Sequence, residues 1–102
     1  MKLVEGTKVV QGWFFYIVRC KDKSLYSGIT NDLERRLREH NRGTGAKYTL
    51  ARRPVILVYS ERCGNISEAR KREGEVKRWP KAKKEQLVKG SVSGGFPRPD
   101  PE

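Results

Sequence analysis

A run of six apolar residues near the start of the chain, WFFYIV at Trp13–Val18, places the tightest constraint on the fold. The run is aromatic and β-branched throughout, which is typical of a strand that is buried on both faces. Strand alternation assigns its side chains to two faces: Phe14, Tyr16 and Val18 to one, and Trp13, Phe15 and Ile17 to the other. The strand therefore needs packing partners above and below it.

Two more strands are expected to complete a sheet with this run. Residues 19–24 form a polar turn, and Leu25–Ile29 is predicted to be the second strand. The turn is so short that the first two strands must pair antiparallel. A third strand, VILVYS, follows Pro54; it is largely apolar and is expected to be buried.

A short basic helix follows the second strand within the segment YSGITNDLERRLREHN, Tyr26–Asn41. The helix is predicted to run from about Asp32 to Asn41, with Asn31 as its N-cap and Glu34 completing a near capping box. It should end near Gly43, before a connection at residues 42–53 that is rich in Gly, Lys and Arg.

Two further helices are predicted in the second half of the chain. One begins near Ser67 and runs to Trp79, where Pro80 breaks the pattern, and the other runs from Lys81 to about Lys89. The chain is therefore expected to hold one domain at residues 12–89. A lead-in precedes it at residues 1–11, and a disordered tail rich in Gly, Ser and Pro follows at residues 90–102.

The charge of the chain points to a polyanionic partner. Its 102 residues carry 23 Lys and Arg against 12 Asp and Glu, a formal net charge of +11. Nucleic acid is the default partner of such a small basic domain. An anionic membrane surface is the alternative, but no basic helix with a bulky apolar face supports it.

Several other classes of protein are excluded by pattern. Cys20 and Cys63 lie far apart, with no C-x-x-C pair and no histidine at ligand spacing, which argues against a zinc site. No run approaches the roughly 20 apolar residues of a membrane span, and the N-terminus has no signal-peptide core. We expect a soluble, cytoplasmic protein.

Glu73 is the most informative single residue. It shares a helix face with Ala69 and Val76, where a carboxylate is costly unless it has a partner. That partner could be a divalent metal such as Mg²⁺, which prefers oxygen ligands. It could equally be one of the many nearby Lys or Arg side chains.

Four other residues have both a chemical and a structural interpretation. Arg36 and His40 lie one turn apart and could bind a phosphate, although a solvated basic helix face would look the same. Tyr16 and Tyr26 lie on neighbouring strands, where tyrosine usually packs. A phenol becomes a useful proton acceptor only beside cations or a metal.

These residues together resemble the GIY-YIG nuclease superfamily, and most of all its small stand-alone single-domain members related to the Slx-type nuclease domain. The first signature stands here as Phe14-Phe15-Tyr16 and the second as Tyr26-Ser27-Gly28. DLERRLREHN, GAKYT, RRPVILVYSE and SEARKREGEVKRW are typical of the same subgroup. Phe14 replaces the signature glycine and Ser27 the central isoleucine, and neither change removes a reactive group.

The resemblance implies an α+β fold, a three-stranded antiparallel sheet flanked by helices, and hydrolysis of phosphodiester bonds with one divalent metal ion, Mg²⁺ or Mn²⁺. Glu73 would bind the metal, Tyr16 would activate the attacking water, and Arg36 would stabilise the phosphate. Tyr26 would orient the water or the metal shell, and His40 would relay a proton with Tyr16. Four further residues would contact nucleic acid: Gly28, Arg35, Lys47 and Tyr48.

Two hypotheses follow for the function. The first is a metal-dependent endonuclease acting on DNA, preferred to RNA by analogy, on branched or damaged structures of the kind met in DNA repair. The second is a nucleic-acid-binding module that keeps the fold without turnover. Since the domain is small, specificity must come from its own surface or from a protein partner.

Overall fold

A three-stranded sheet with helices on both faces forms the body of the protein. The computed structural model describes residues 12–94. Its elements are β1 (Trp13–Arg19), β2 (Leu25–Thr30), α1 (Leu33–Arg42), α2 (Lys47–Leu50), β3 (Ile56–Cys63), α3 (Ile66–Lys77) and α4 (Lys81–Gly94). The strands pair antiparallel in the order β2–β1–β3, which confirms the expected sheet. Among the helices of residues 12–94, none is long and apolar enough to cross a bilayer.

The apolar run forms the central strand β1, as its burial on two faces requires. Phe15 and Ile17, at 0% and 1% exposure, pack on one face with Val76 of α3 and Val88 of α4. Tyr16 and Val18 face the other way, into a cluster with Cys20 and Val55 that Leu33 and Leu37 of α1 help to cover. The two predicted faces are therefore confirmed, and the chemistry-bearing Tyr16 lies on the α1 side.

The third strand differs from its prediction, because it is an edge strand and only half-buried. It runs from Ile56 to Cys63 and pairs with β1 alone, and the Ile56 side chain is 61% exposed. Its register slips by one residue, since Ile17 faces Tyr59 and the next residue of β1 faces Leu57. An apolar run by itself does not distinguish a central strand from an edge strand.

The N-cap of α1 is Asp32, so the predicted cap at Asn31 and its box with Glu34 are wrong. The Asp32 carboxylate accepts a hydrogen bond of 3.0 Å from the backbone N–H of Arg35. Asn31 accepts instead from the Arg35 guanidinium, at 3.2 Å. Both residue types cap helices well, and the chain uses the one that directly precedes the first helical residue. The helix ends at Gly43, as predicted.

We expect Asp32→Ala to lower the free energy of unfolding by about 1 kcal/mol, because the Arg35 N–H loses its acceptor. Asn31→Ala removes a neighbouring polar side chain without removing the cap, and should change stability by a few tenths of a kcal/mol at most. Urea denaturation of both variants beside the wild type measures the difference. Equal losses in the two variants would contradict the assignment of Asp32 as the cap.

Three other boundaries move relative to their predictions. The connection at residues 42–53 contains the one-turn helix α2, and α3 begins at Ile66 behind an Asn65 cap. Helix α4 continues past Lys89 to Gly94, so the predicted tail begins too early. Gly and Ser weaken a helix without forbidding it. The predicted lead-in, residues 1–11, and the rest of the tail, residues 95–102, lie outside the described residues.

Helix α1 is fixed at both of its ends. Thr30 accepts from the backbone N–H of Asp32 at 3.0 Å, which joins β2 to the start of the helix. At the other end, the Asn41 amide pairs with the backbone of Val55, donating at 3.0 Å and accepting at 2.7 Å. These bonds orient the face of α1 that carries Arg36 and His40 toward the sheet.

Candidate active site

The Tyr16 hydroxyl is the centre of the candidate site. Tyr16 lies on β1 with 1% of its surface exposed, and its Oη atom is 2.8 Å from Nε2 of His40. His40 lies near the end of α1 and is completely buried. Two titratable groups 24 positions apart in the chain thus share one buried hydrogen bond.

The second nitrogen of His40 has a buried partner that the sequence analysis missed. Nδ1 lies 2.8 Å from Oγ1 of Thr49, which is itself fully buried. The Thr49 hydroxyl also donates to the carbonyl oxygen of Ala46, at 3.0 Å. A hydroxyl has one proton to donate, and with that proton directed at the Ala46 carbonyl the Thr49 oxygen accepts from His40 Nδ1–H. This bonding assigns the Nδ1–H tautomer, in which Nε2 accepts the proton of Tyr16.

Two glycines leave room for this arrangement. Gly28 faces Tyr16 across the β1–β2 pair, and a Cβ atom there would lie 2.7 Å from the Tyr16 hydroxyl. A Cβ atom on Gly45 would lie 2.6 Å from Nδ1 of His40. The family resemblance implied that Gly28 contacts nucleic acid. In the structure it is the Tyr16 phenol that requires a glycine at this position.

Burial keeps the Tyr16 phenol protonated. It raises the pKa of Tyr16 to about 12, and the nearby Arg36 guanidinium opposes the shift without reversing it. Electrostatic interactions with Tyr26 and Glu73 add to the increase. A free phenolate is therefore rare at neutral pH, and the phenol needs an acceptor for its own proton before it can take another.

Arg36 lies beside the same phenol with its guanidinium half-buried. Its Nη1 atom donates to Oε1 of Glu39, one turn along α1, at 2.9 Å. Burial acts against its charge, but the interactions with Glu39 and Tyr16 are stronger together and hold its pKa above the ordinary value. Arg36 is thus a permanent cation next to the Tyr16 hydroxyl.

Glu73 reaches the site from the other side of the sheet. Helix α3 packs on β1 and β2 with Ala69 and Val76 fully buried, and the Glu73 side chain is 23% exposed. Its charge still raises the pKa of Tyr16, so the two groups are close. The Tyr16 hydroxyl lies over Gly28 of the edge strand β2, and α3 contacts the same strand.

The alternative interpretation of Glu73 as an ion-pair residue also has a partner in the structure. Its Oε2 atom lies 3.2 Å from Nζ of Lys77, one turn further along α3. The lysine side chain is 52% exposed, and exposed pairs of this spacing contribute only about 0.3–0.5 kcal/mol. The pair is too weak to explain by itself why a carboxylate lies where its charge raises the pKa of a buried phenol.

An aromatic stack leads from His40 to the surface. The Tyr26 ring meets His40 edge-on, with centroids 5.4 Å apart, and stacks on Tyr48 with centroids 5.7 Å apart. The Arg52 guanidinium covers the Tyr48 ring at 3.9 Å. Tyr48 is 38% exposed, so the outer end of the stack, with Arg52 over it, lies at the protein surface.

The remaining predicted residues lie on the surface around this centre. Arg35 is exposed on α1 and contacts Glu39 at 3.5 Å, while Lys47 is exposed at the start of α2. The structure therefore brings His40 and Arg36 to the Tyr16 phenol and Tyr26 to His40, while Glu73 acts on the phenol through its charge. It leaves Arg35, Lys47 and Tyr48 at the periphery.

His40 should make the stability of the protein fall as the pH is lowered below 6.5. Burial first, and then Arg36, hold its pKa below the ordinary value of 6.5. As the pH falls, the unfolded chain takes up a proton before the folded protein does, so unfolding becomes easier. The slope can reach about 1.4 kcal/mol per pH unit for one group.

Chemical denaturation at a series of pH values measures this slope. His40 is the single histidine of the chain, so few other side chains titrate in this range. His40→Gln should flatten the dependence. A wild-type stability that is constant or higher at pH 5 would show that His40 is not buried in its neutral form.

The sequence was also compared with families of known proteins. Residues 12–86 match the model of the GIY-YIG catalytic domain. The chain belongs to the GIY-YIG family. GIY-YIG proteins form a nuclease superfamily that acts on nucleic acid and generally uses divalent metal ions.

Several small GIY-YIG relatives are similar over most of this chain. A UPF0213 protein of Desulfotalea psychrophila is 52% identical over 83 residues, covering 80% of this chain and 76% of the relative. A UPF0213 protein of Staphylococcus aureus is 54% identical over 76 residues, covering 74% and 93%. The name UPF0213 specifies no activity.

Two solved structures are similar as well. The solution NMR structure of the UPF0213 protein of Bacillus halodurans has a TM-score of 0.51 at 46% identity, covering 81% of this chain and 86% of that one. A solution NMR structure of a protein from E. faecalis has a TM-score of 0.58 at 42% identity, covering 89% and 97%. The GIY-YIG fold predicted from the motifs is confirmed.

Proposed function

We propose that the protein is an endonuclease that hydrolyses phosphodiester bonds in DNA with one divalent metal ion, Mg²⁺ or Mn²⁺. The observation that carries the proposal is the buried bond between Tyr16 and His40, with the Arg36 cation beside the same phenol and the Glu73 charge near enough to raise its pKa. A structural tyrosine would need neither of these charges. Branched or damaged DNA of the kind met in repair is the proposed substrate.

Tyr16 and His40 would act together as the base. As the attacking water loses a proton to Tyr16 Oη, the phenol passes its own proton to Nε2 of His40, which is free to accept it. This coupled transfer avoids a free phenolate, whose formation the raised pKa of Tyr16 opposes. General base catalysis of this kind contributes about 10²–10⁴-fold.

Arg36 would bind the phosphate on which negative charge develops. Its guanidinium keeps its charge at every relevant pH, and Glu39 fixes its orientation from the side. A planar guanidinium can donate two parallel hydrogen bonds to phosphate oxygens. Because the side chain is already held in place, little reorganisation is needed when the charge forms.

The donor set at Glu73 fits one hydrated divalent ion. Within residues 12–94, no group of three or more His, Cys, Asp and Glu side chains could form a closed metal cage. Mg²⁺ does not need such a cage, since it commonly binds one or two carboxylates and completes its shell with waters and substrate phosphates. When bound, the ion would polarise the phosphate and lower the pKa of water.

The surface around the site would hold the nucleic acid. The net charge of +11 favours salt-sensitive binding to the phosphate backbone. Arg35, Lys47 and Tyr48 are the proposed contacts, since all three are exposed near the phenol, His40 or the stack that leads to them. Gly28 would contribute through the edge strand β2, where its missing side chain lets the Tyr16 hydroxyl pack against the backbone.

Cleavage of labelled single-stranded, duplex and branched DNA by the wild-type protein tests the proposal. We expect strand scission with Mg²⁺ or Mn²⁺, none with EDTA, and DNA binding that weakens as salt rises. Binding to every form without scission under any of these metals would overturn the nuclease assignment and favour the binding module. A parallel RNA series tests the preference for DNA.

A further inference from the structure

We infer that Thr49 is a positioning residue for the proposed hydrolysis, and that it holds His40 in the one tautomer able to receive the Tyr16 proton. The role of Thr49 in hydrolysis rests on the proposed function, whereas the tautomer of His40 rests on the hydrogen bonds around its ring. Thr49 touches neither Tyr16 nor a substrate in this arrangement. It acts through His40 Nδ1, at a distance of 2.8 Å.

The direction of the hydrogen bonds from Tyr16 through His40 and Thr49 follows from the Ala46 carbonyl, the last group that they connect. The Ala46 carbonyl can only accept and lies 3.0 Å from Thr49 Oγ1, so we direct the single Thr49 proton toward it. The Thr49 oxygen then faces Nδ1 with a lone pair, and Nδ1 must carry a proton. Nε2 is left with a lone pair that faces the Tyr16 hydroxyl, 2.8 Å away.

The opposite tautomer would reverse this relay. With its proton on Nε2, His40 would donate to Tyr16, and the phenol could not pass a proton to it. In the assigned tautomer, an O–H bond of the attacking water breaks as the Tyr16 oxygen gains the released proton. The Tyr16 O–H bond breaks as Nε2 gains the second proton. Thr49 moves no proton, and accepts from Nδ1–H before and after the transfer.

The surrounding backbone holds Thr49 in this position. Its hydroxyl bonds back to the carbonyl three residues earlier, which restricts the rotation of the side chain within the single turn of α2. The preceding loop lies against His40 at Gly45, where a Cβ atom would be 3.0 Å from the His40 Cα atom. Both His40 and Thr49 are 0% exposed, so water cannot replace the hydroxyl.

The test compares Thr49→Val with Thr49→Ser in untagged, ¹⁵N-labelled protein. Valine keeps the shape and loses the acceptor, while serine keeps the hydroxyl. His40 is the single histidine, so its two ring nitrogens are directly readable in an NMR spectrum. We expect the Nδ1–H tautomer in the wild type and in Thr49→Ser, and a substantial Nε2–H population in Thr49→Val.

Single-turnover cleavage provides the second measurement. We expect Thr49→Val to be slower by about 10-fold or more, and Thr49→Ser to remain within a few-fold of the wild type. A wild type in the Nε2–H tautomer would overturn the inference without any variant. So would a Thr49→Val protein that keeps the wild-type tautomer and rate. If the wild type cleaves no DNA, that result counts against the proposed function, and the tautomers alone decide the role of Thr49.

Discussion

Tyr16→Phe should lower the single-turnover rate of DNA cleavage by about 10²–10⁴-fold, the range expected for loss of a general base. The phenylalanine ring fills the same space against Gly28 but carries no proton acceptor for the attacking water. Affinity for DNA should stay within a few-fold of the wild type, because the buried hydroxyl is not a proposed phosphate contact. Stability should fall by about 1–3 kcal/mol, since Nε2 of His40 loses its donor.

Tyr59→Phe is the matched control for this change. The Tyr59 hydroxyl also donates to a side chain, Glu61, and burial raises its pKa to about 12 as well. Tyr59 packs on the opposite face of the sheet, against Phe15. Its variant should cleave DNA at the wild-type rate. Equal losses of activity in the two variants would mean that the effect of Tyr16→Phe arises from stability and not from chemistry.

Glu73→Gln should lower metal-dependent cleavage by about 10³-fold. A catalytic metal contributes several kcal/mol to the stabilisation of the transition state, and every 1.4 kcal/mol corresponds to a factor of about ten. Glutamine keeps the size of the side chain and removes the charge that binds the ion. Single-turnover rates over a range of Mg²⁺ concentrations measure the loss, and excess metal should restore little of it.

Glu75→Gln is the matched control, since it removes one negative charge two positions away on the same helix. Glu75 is 56% exposed and pairs with Arg72 at 3.1 Å on the surface. Both variants raise the net charge by one, so their DNA affinity should change equally. A Glu75→Gln rate as low as that of Glu73→Gln would show that the lower cleavage rate results from removing a negative charge from α3 and not from removing a metal ligand.

The sheet and its faces could be predicted from the sequence because strand alternation has a fixed period of two. WFFYIV therefore placed Tyr16 and Phe15 on opposite faces, as the structure has them. The edge position of β3 could not be predicted in this way, since an apolar run indicates that a strand is buried but not how many strands pair with it. The cap at Asp32 was missed because Asn31 and Asp32 are both good caps, and only the start of the helix selects between them.

The candidate site was recognised from the motifs, but its hydrogen bonds could not be predicted. Spacing placed Arg36 and His40 one turn apart, yet nothing local indicates that His40 is buried while Arg36 is only half-buried. Thr49 was missed because its segment was interpreted as a connection, and the bond to His40 depends on how that loop folds over α1. A sequence signal was present, because Thr49 directly follows Lys47 and Tyr48, which were both predicted to contact nucleic acid.

Glu73 shows why pattern alone left two interpretations open. The helix period placed it next to Ala69 and Val76, which suggests a buried carboxylate. In the structure it lies at the margin of that face, where it pairs with Lys77 and its charge raises the pKa of Tyr16. Tyr16 belongs to a strand more than fifty positions earlier, so the helix period alone could not relate the two residues.

Paramagnetic broadening by Mn²⁺ tests most directly whether Glu73 holds a metal ion beside Tyr16. The protein is bound to a short non-hydrolysable DNA, so the measurement requires no cleavage. We predict that the signals of Glu73, Gly28 and Tyr16 broaden first, and that Glu73→Gln abolishes the effect while Glu75→Gln does not. Broadening centred on Asp22 or Glu61, or a pattern that Glu73→Gln leaves unchanged, would contradict a metal-dependent site at this edge of the sheet.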